Sequence, residues 1–288
     1  MEEISRKVKH LHFISRKLVD TIFAGNYRSV FKGPGLEFDE VREYSDGDDT
    51  RFIDWNVSSR MGTPYTKTFR EEREVVLQVL VDTSSSLFFS SGSINKRELA
   101  GHIFAIIALA AVANNDKVGS LLFSDHVEEQ IQPRKGKKHV LKQITQILSV
   151  EEGRKGSNLA LACKTASQTM KRRGICLILS DFRTTNYRTE LTLLARKHDV
   201  IAIRLTDPLD RDFPSSGLVS LEDPESGQTL NVMGTGRMRQ QYRDFWEHER
   251  YLWHKNCKSA GVDVLEISTE DDPAVKLLHF FERRKKKA

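Results

Sequence analysis

The feature that most constrains this chain is a chemical break inside one short stretch. Val75 to Val81 reads VVLQVLV, apolar but for Gln78, and Asp82-Thr83-Ser84-Ser85-Ser86 follows at once. A short run so rich in Val and Leu suits a strand buried on both faces, as in a parallel sheet covered by helices. The carboxyl end of such a strand is where open α/β sheets place their ligand sites. Asp82, Ser84 and Ser86 alternate there as one hard carboxylate and two neutral oxygens, a partial shell for Mg²⁺. The same residue types also serve as a helix N-cap, satisfying the free N–H groups of a first turn. Spacing alone leaves both readings open.

The pattern recurs downstream. Val118–Phe123, Ile175–Leu179 and Val200–Leu205 are further short apolar runs, and the first two end at Ser124-Asp125 and Ser180-Asp181. Between them lie helical patterns: Lys96 to about Asn114, capped by Asn95 or Ser93, then 137–149, 158–172 and 188–197. The segment HIFAIIALAAVA in the first of these is apolar nearly all round, which predicts burial against a sheet. Val127–Gln132 pairs as a hairpin with the strand before it. Strands alternating with helices at this spacing predict an α/β fold with a doubly wound, mostly parallel sheet. Past Pro208, Leu218–Leu221 and Thr229–Val232 read as a β-hairpin. A helix from about Arg237 to Ala260 follows, then a strand over Val262–Ile267 and a last helix opened by Asp272-Pro273.

Ahead of the central run, residues 3–23 read as an amphipathic helix. The stretch after it is rich in Gly, Asp and Pro but carries Phe52, Ile53 and Trp55 among other large apolar groups. That composition predicts an ordered segment docked on the core, with Phe52, Ile53 and Trp55 largely buried. Its interleaved charges predict that Asp49 or Asp54 pairs with an Arg of the same stretch. The expected organisation is residues 1–70 as the N-terminal helix and docked segment, and residues 71–288 as the α/β domain with its C-terminal hairpin and helices.

Composition limits the function. The 288 residues, 39% of them hydrophobic and 30% charged, bury one large core in a well-solvated chain. The net charge of +5 invites a nucleic-acid reading. The basic residues cluster at 134–138, 171–173 and 283–287 without an aromatic recognition module, so no specific nucleic acid is expected. No apolar run reaches the roughly 18 residues of a membrane span, and MEEISRKVKHLHF lacks the apolar core of a secretory signal. Cys163, Cys176 and Cys257 are scattered, which fits buried thiols in a reduced, cytoplasmic setting.

In a parallel sheet, strand ends share one edge, so Asp82, Ser84, Ser86 and Asp181 converge, with Ser157 from the Gly156-Ser157-Asn158 turn. Two carboxylates and three hydroxyls form a hard, oxygen-only set that favours Mg²⁺ or Mn²⁺ over zinc. The Asp-x-Ser-x-Ser at 82–86, the Gly-Ser at 156–157 and the strand-end Ser-Asp at 180–181 resemble the metal-ion-dependent adhesion site of a von Willebrand factor A domain. That resemblance implies ion ligation by Asp82, Ser84 and Ser86, with Ser157 where the family usually has Thr, and Asp181 in contact directly or through water. Upstream, GPGLEFDEVREYSDGDDTRFIDWNVSSR closely resembles the signature of the domain of unknown function 58 family. The likeness spans roughly residues 20–205 and implies a bacterial protein that works with a MoxR-type AAA+ ATPase.

Two function classes follow. In the first, the chain is a non-enzymatic binding module whose ion keeps one position open for an Asp or Glu of a protein partner. In the second, a Mg²⁺-dependent, phosphatase-like hydrolase uses the same strand-end carboxylates. The binding module is the expectation. No G-x-S-x-G elbow, G-x-G-x-x-G or P-loop sequence is present, and the nine His residues are scattered, His126 being nearest a strand end.

Overall fold

The computed structural model describes residues 37–70, 75–151, 156–213, 217–222 and 228–286. The expected helix at 3–23 lies outside them. Two compact units divide the described chain, one lying N-terminal to Val75 and one running from Val75 onward.

The first unit holds β1 (Glu37–Glu43), a helix α1 (Trp55–Met61) and β2 (Tyr65–Arg70). β1 and β2 pair antiparallel, and Ile53 bridges to Thr66. The loop between β1 and α1 is pinned by its own charges. Asp48 accepts from Arg42 at 2.7 Å and from the backbone N–H of Ser45 at 2.9 Å. Asp49 takes a two-pronged grip from Arg51, and Asp54 caps α1 through the N–H groups of Asn56 and Val57 while meeting Lys67 at 3.1 Å. The expected Asp–Arg pairing is therefore present at Asp49. The expected burial is not: Trp55 is 71% exposed and Phe52 36%. Hydrogen-bonded carboxylates at a helix start and a loop give this unit its order, so its aromatic rings are not needed as a core.

The second unit is an α/β layer structure with a six-stranded, mostly parallel sheet. Its elements in order are β3 (Val76–Asp82), α2 (Lys96–Ala113), β4 (Lys117–Phe123), β5 (Val127–Arg134), α3 (Lys137–Leu148), α4 (Leu159–Thr169), β6 (Ile175–Ser180), α5 (Arg188–Lys197), β7 (Asp199–Thr206), the hairpin β8 (Leu218–Glu222) and β9 (Thr229–Met233), α6 (Gly236–Ser259), β10 (Asp263–Ser268) and α7 (Pro273–Lys285). Strand order is β10-β7-β6-β3-β4-β5, parallel except for β5 at one edge. Alternate residues of each strand feed two cores. Leu77, Val79 and Val81 pack with α2, α3 and α7, whereas Leu80, Ile178 and Ala202 pack with α4, α5 and α6. Burial on both faces explains why the strands read as unbroken apolar runs.

α2 begins with a full capping box: Asn95 accepts from the Glu98 N–H at 2.8 Å and Glu98 reaches back to Asn95. The all-round apolar helix is buried along most of its length, as its sequence requires. β4 and β5 are irregular between Val118 and Ser120. A methyl group at Gly119 there would meet the Ile131 carbonyl oxygen at 2.7 Å, so the residue is glycine because backbone passes too close. The sheet is crossed from β3 to β4 on one side and later to β6 on the other. The carboxyl end of β3 is thus a point where the strand order reverses.

Candidate metal centre

Asp82 ends β3 at that reversal point and is fully buried. The serines after it do not cap a helix. Ser84 precedes a single turn, Ser85–Leu87, without a side-chain cap bond, and the following long helix is capped by Asn95 instead. The N-cap reading of these residues therefore fails locally. Asp82 Oδ1 accepts from the Ser84 N–H at 2.9 Å, which folds the backbone back and turns the serine hydroxyls toward the carboxylate.

Of the five residues expected at the site, Asp82, Ser84, Ser86 and Ser157 fall into one connected hydrogen-bond network, and Asp181 lies beside it. Ser157 donates its hydroxyl to Asp82 Oδ2 at 2.8 Å. Ser84 is tied to Asp82 through its N–H, its hydroxyl lies 3.2 Å from the Ser86 hydroxyl, and Asp181 is near enough for its charge to act on Asp82. Ser157 is brought in by two backbone ties: the Asn158 N–H donates to the Ser124 carbonyl at 2.7 Å, and the Thr184 hydroxyl donates to the Ser157 carbonyl at 2.7 Å. The strand ends of β4 and β6 thus clamp the turn. Ser124 itself is buried, whereas Asp125 is exposed, pairs with His126 at 2.6 Å and stays outside the cluster.

Four further participants surround them, of which Ser180 carries a strand-end signal in the sequence and Lys96, Arg183 and Asp210 have none. Ser180, at the end of β6, donates its hydroxyl to Asp82 Oδ2 at 2.7 Å. Lys96 reaches from the first turn of α2 to Asp181 Oδ2 at 2.9 Å. Asp210 and Arg183 complete the surroundings: Arg183 pairs with Asp210 and lies 3.5 Å from Asp181 Oδ2, its guanidinium stacked 4.4 Å from the ring centre of Trp246. Asp210 sits in a short turn after β7, anchored by the Asp207 N–H at 2.9 Å. A lysine at the start of a helix reads as solvated, and only the fold reveals that this one points inward.

The two carboxylates differ in electrostatics. Burial, reinforced by the negative charge of Asp181, pushes the Asp82 carboxyl above the usual carboxylate range. Burial acts on Asp181 in the same sense, but the charges of Lys96 and Arg183 override it and hold that carboxyl low. Among the described residues no three His, Cys, Asp or Glu side chains converge on a point. A cation here would meet hydroxyls and few carboxylates, a hard, oxygen-only donor set. The buried Asp82 carboxylate, with only neutral donors around it, fits such an ion.

The description "protein of unknown function DUF58" belongs to a family model that matches residues 40–251. Uncharacterized proteins of Mycobacterium tuberculosis and Mycobacterium bovis are 27% identical over 290 aligned residues, covering 99% of this chain and 91% of each relative. An aerotolerance-related membrane protein of Bacteroides fragilis, solved with multiple mutations to serines, superimposes with a TM-score of 0.50 at 13% identity, over 74% of this chain and 100% of that one. The VWA domain of SpRpn10 is a looser structural neighbour, with a TM-score of 0.38 at 11% identity, over 72% of this chain and 94% of that one.

Proposed function

The chain belongs to the DUF58 family, and we propose that it is a metal-dependent protein-binding module whose ion sits on Asp82, Ser84, Ser86 and Ser157 at the carboxyl edge of the sheet, with Asp181 beside it. The observation that carries this reading is the connected network of Ser157, Asp82, Ser84 and Ser86, with Asp181 beside it. A buried carboxylate ringed by hydroxyls is expensive to keep charged and becomes favourable once a divalent ion faces it. When bound, the ion supplies an electrophilic position for an Asp or Glu side chain of a partner. The chain's own residues fix the hydroxyl orientations: Ser84 through its N–H on Asp82, Ser157 through the ties from Asn158 and Thr184.

The partner in this reading is a MoxR-type AAA+ ATPase, or a client protein handled with it. Support comes from the family signature over residues 33–60. A non-enzymatic role is supported by the surroundings of Asp82, where hydroxyls and paired charges take the places a general base needs. No described helix is long and apolar enough to cross a membrane. The three cysteines are buried and free, which supports a reducing, cytoplasmic compartment.

The test is a melting curve of the purified chain in EDTA and in Mg²⁺ or Mn²⁺. An ion that binds only the native state raises the melting temperature, increasingly so as its free concentration exceeds its dissociation constant. The shift is expected in the natural chain and absent from Asp82→Ala. Equal melting behaviour of both proteins in all three conditions contradicts the metal centre.

A further inference from the structure

The candidate site already contains a cation, and it is a residue of the chain. Lys96 opens α2, a position that ordinarily sends a lysine to solvent, yet its side chain is 0% exposed. Its Nζ lies 2.9 Å from Asp181 Oδ2 and 3.6 Å from Asp210 Oδ2. Arg183 closes the ring, 3.5 Å from Asp181 Oδ2 and paired with Asp210. A buried ammonium is tolerated only where carboxylates surround it, and here two do. The remaining Asp181 oxygen, Oδ1, accepts from the Arg183 N–H at 3.3 Å. Two carboxylates and two cations leave this ring with no net charge. Asp82 lies outside it, and its partners are hydroxyls and one N–H, all neutral.

We propose that Lys96 holds Asp181 out of the ion's shell, so that the site binds a divalent cation through one carboxylate, Asp82, with the hydroxyls of Ser84, Ser86 and Ser157. The inference rests on the reading of this cluster as a metal centre and specifies its chemistry. Affinity for a hard cation rises with the number of charged ligands, so a one-carboxylate site binds the free ion weakly. It also leaves one positive charge of the ion uncompensated and directed outward. An acidic side chain of the partner then completes the charge balance, so that ion and partner hold each other in place. Lys96 acts here as a positioning residue, through Asp181, and not as a ligand.

The experiment is a titration of the full chain with Mn²⁺ alone, reading free Mn²⁺ by electron paramagnetic resonance, for the natural chain and for Asp82→Asn, Asp181→Asn and Lys96→Met. Asp82→Asn is expected to weaken binding by about tenfold or more, and Asp181→Asn to leave it within about threefold. Lys96→Met releases Asp181 as a second anionic ligand and is expected to tighten binding by about tenfold. Lys96→Met strips one charge from a buried ring, so Lys96→Met/Asp210→Asn, which removes one charge of each sign, replaces it if the single variant does not fold. Loss of affinity in Asp181→Asn equal to that in Asp82→Asn overturns the inference while leaving the metal centre standing. Absence of Mn²⁺ binding by every protein in the set overturns the metal centre itself.

Discussion

Ser157 donates its hydroxyl to Asp82 Oδ2 at 2.8 Å, across 75 residues of sequence. The contact joins the end of β3 to the turn before α4, and it exists because the ends of β4 and β6 hold that turn from both sides. One hydroxyl thus has two duties, steadying Asp82 and offering an oxygen to an ion.

Ser157→Ala separates those duties. Loss of a hydrogen bond to a buried carboxylate costs about 1–2 kcal/mol of stability, measurable by denaturant unfolding in EDTA. The Mg²⁺-induced rise in melting temperature is expected to shrink as well. Ser157→Thr keeps the oxygen and adds a methyl that restricts its rotamers, so it is expected to preserve or enlarge that rise. A Thr variant that behaves like Ala contradicts the assignment of Ser157 to the ion.

Asp82→Asn tests the electrostatic strain at the site. Burial and the charge of Asp181 both oppose ionisation of Asp82, so at neutral pH the carboxylate costs the metal-free fold stability. The amide keeps an acceptor for Ser157 and Ser180, gives up the one that takes the Ser84 N–H, and removes the charge, the last being the larger effect. The variant is therefore expected to melt higher than the natural chain in EDTA and to lose its response to Mg²⁺. A lower melting temperature in EDTA shows that the charge is structural.

Most of the sheet is legible in the sequence because its strands are buried on both faces and its helices carry ordinary caps: Asn95, Asn158, Thr235 and Asp272 each open a helix where the residue type indicates. The gathering of Asp82, Ser84, Ser86 and Asp181 is legible for a related reason, since parallel strands bring their carboxyl ends to one edge. Ser180 is marked as a strand-end residue of the same motif, but Lys96, Arg183 and Asp210 are not legible. Their roles depend on side-chain direction at the end of an element, where Lys96 looks like any solvated first-turn residue and Asp210 like any loop carboxylate. Trp55 fails in the opposite sense. An aromatic in a loop-rich stretch suggests a core, yet here the carboxylates of Asp48, Asp49 and Asp54 organise the backbone and the ring is exposed.

His198 supplies a pH dependence away from the site. The ring is 3% exposed, and neither nitrogen has a hydrogen-bond partner among the described residues. Burial, with the charges of Lys197 and Arg173, lowers its proton affinity below the ordinary 6.5. The unfolded chain therefore binds the proton more tightly than the folded one. The resulting stability is present above pH 6.5 and is lost as pH falls from there through the folded value. Chemical unfolding at pH 7.5 and pH 5 is expected to show a larger acid loss for the natural chain than for His198→Leu. Equal losses in the two proteins place the acid sensitivity elsewhere.

The central claim is that Asp82 holds an ion that a partner's carboxylate completes. The measurement that tests it most directly is a binding titration of the natural chain and Asp82→Ala against the MoxR-type ATPase of the same host, in Mg²⁺ and in EDTA. The account predicts binding by the natural chain in Mg²⁺ alone, with EDTA and the substitution each abolishing it and the fold of Asp82→Ala intact by circular dichroism. Affinity that is equal for both proteins and unchanged by EDTA contradicts it.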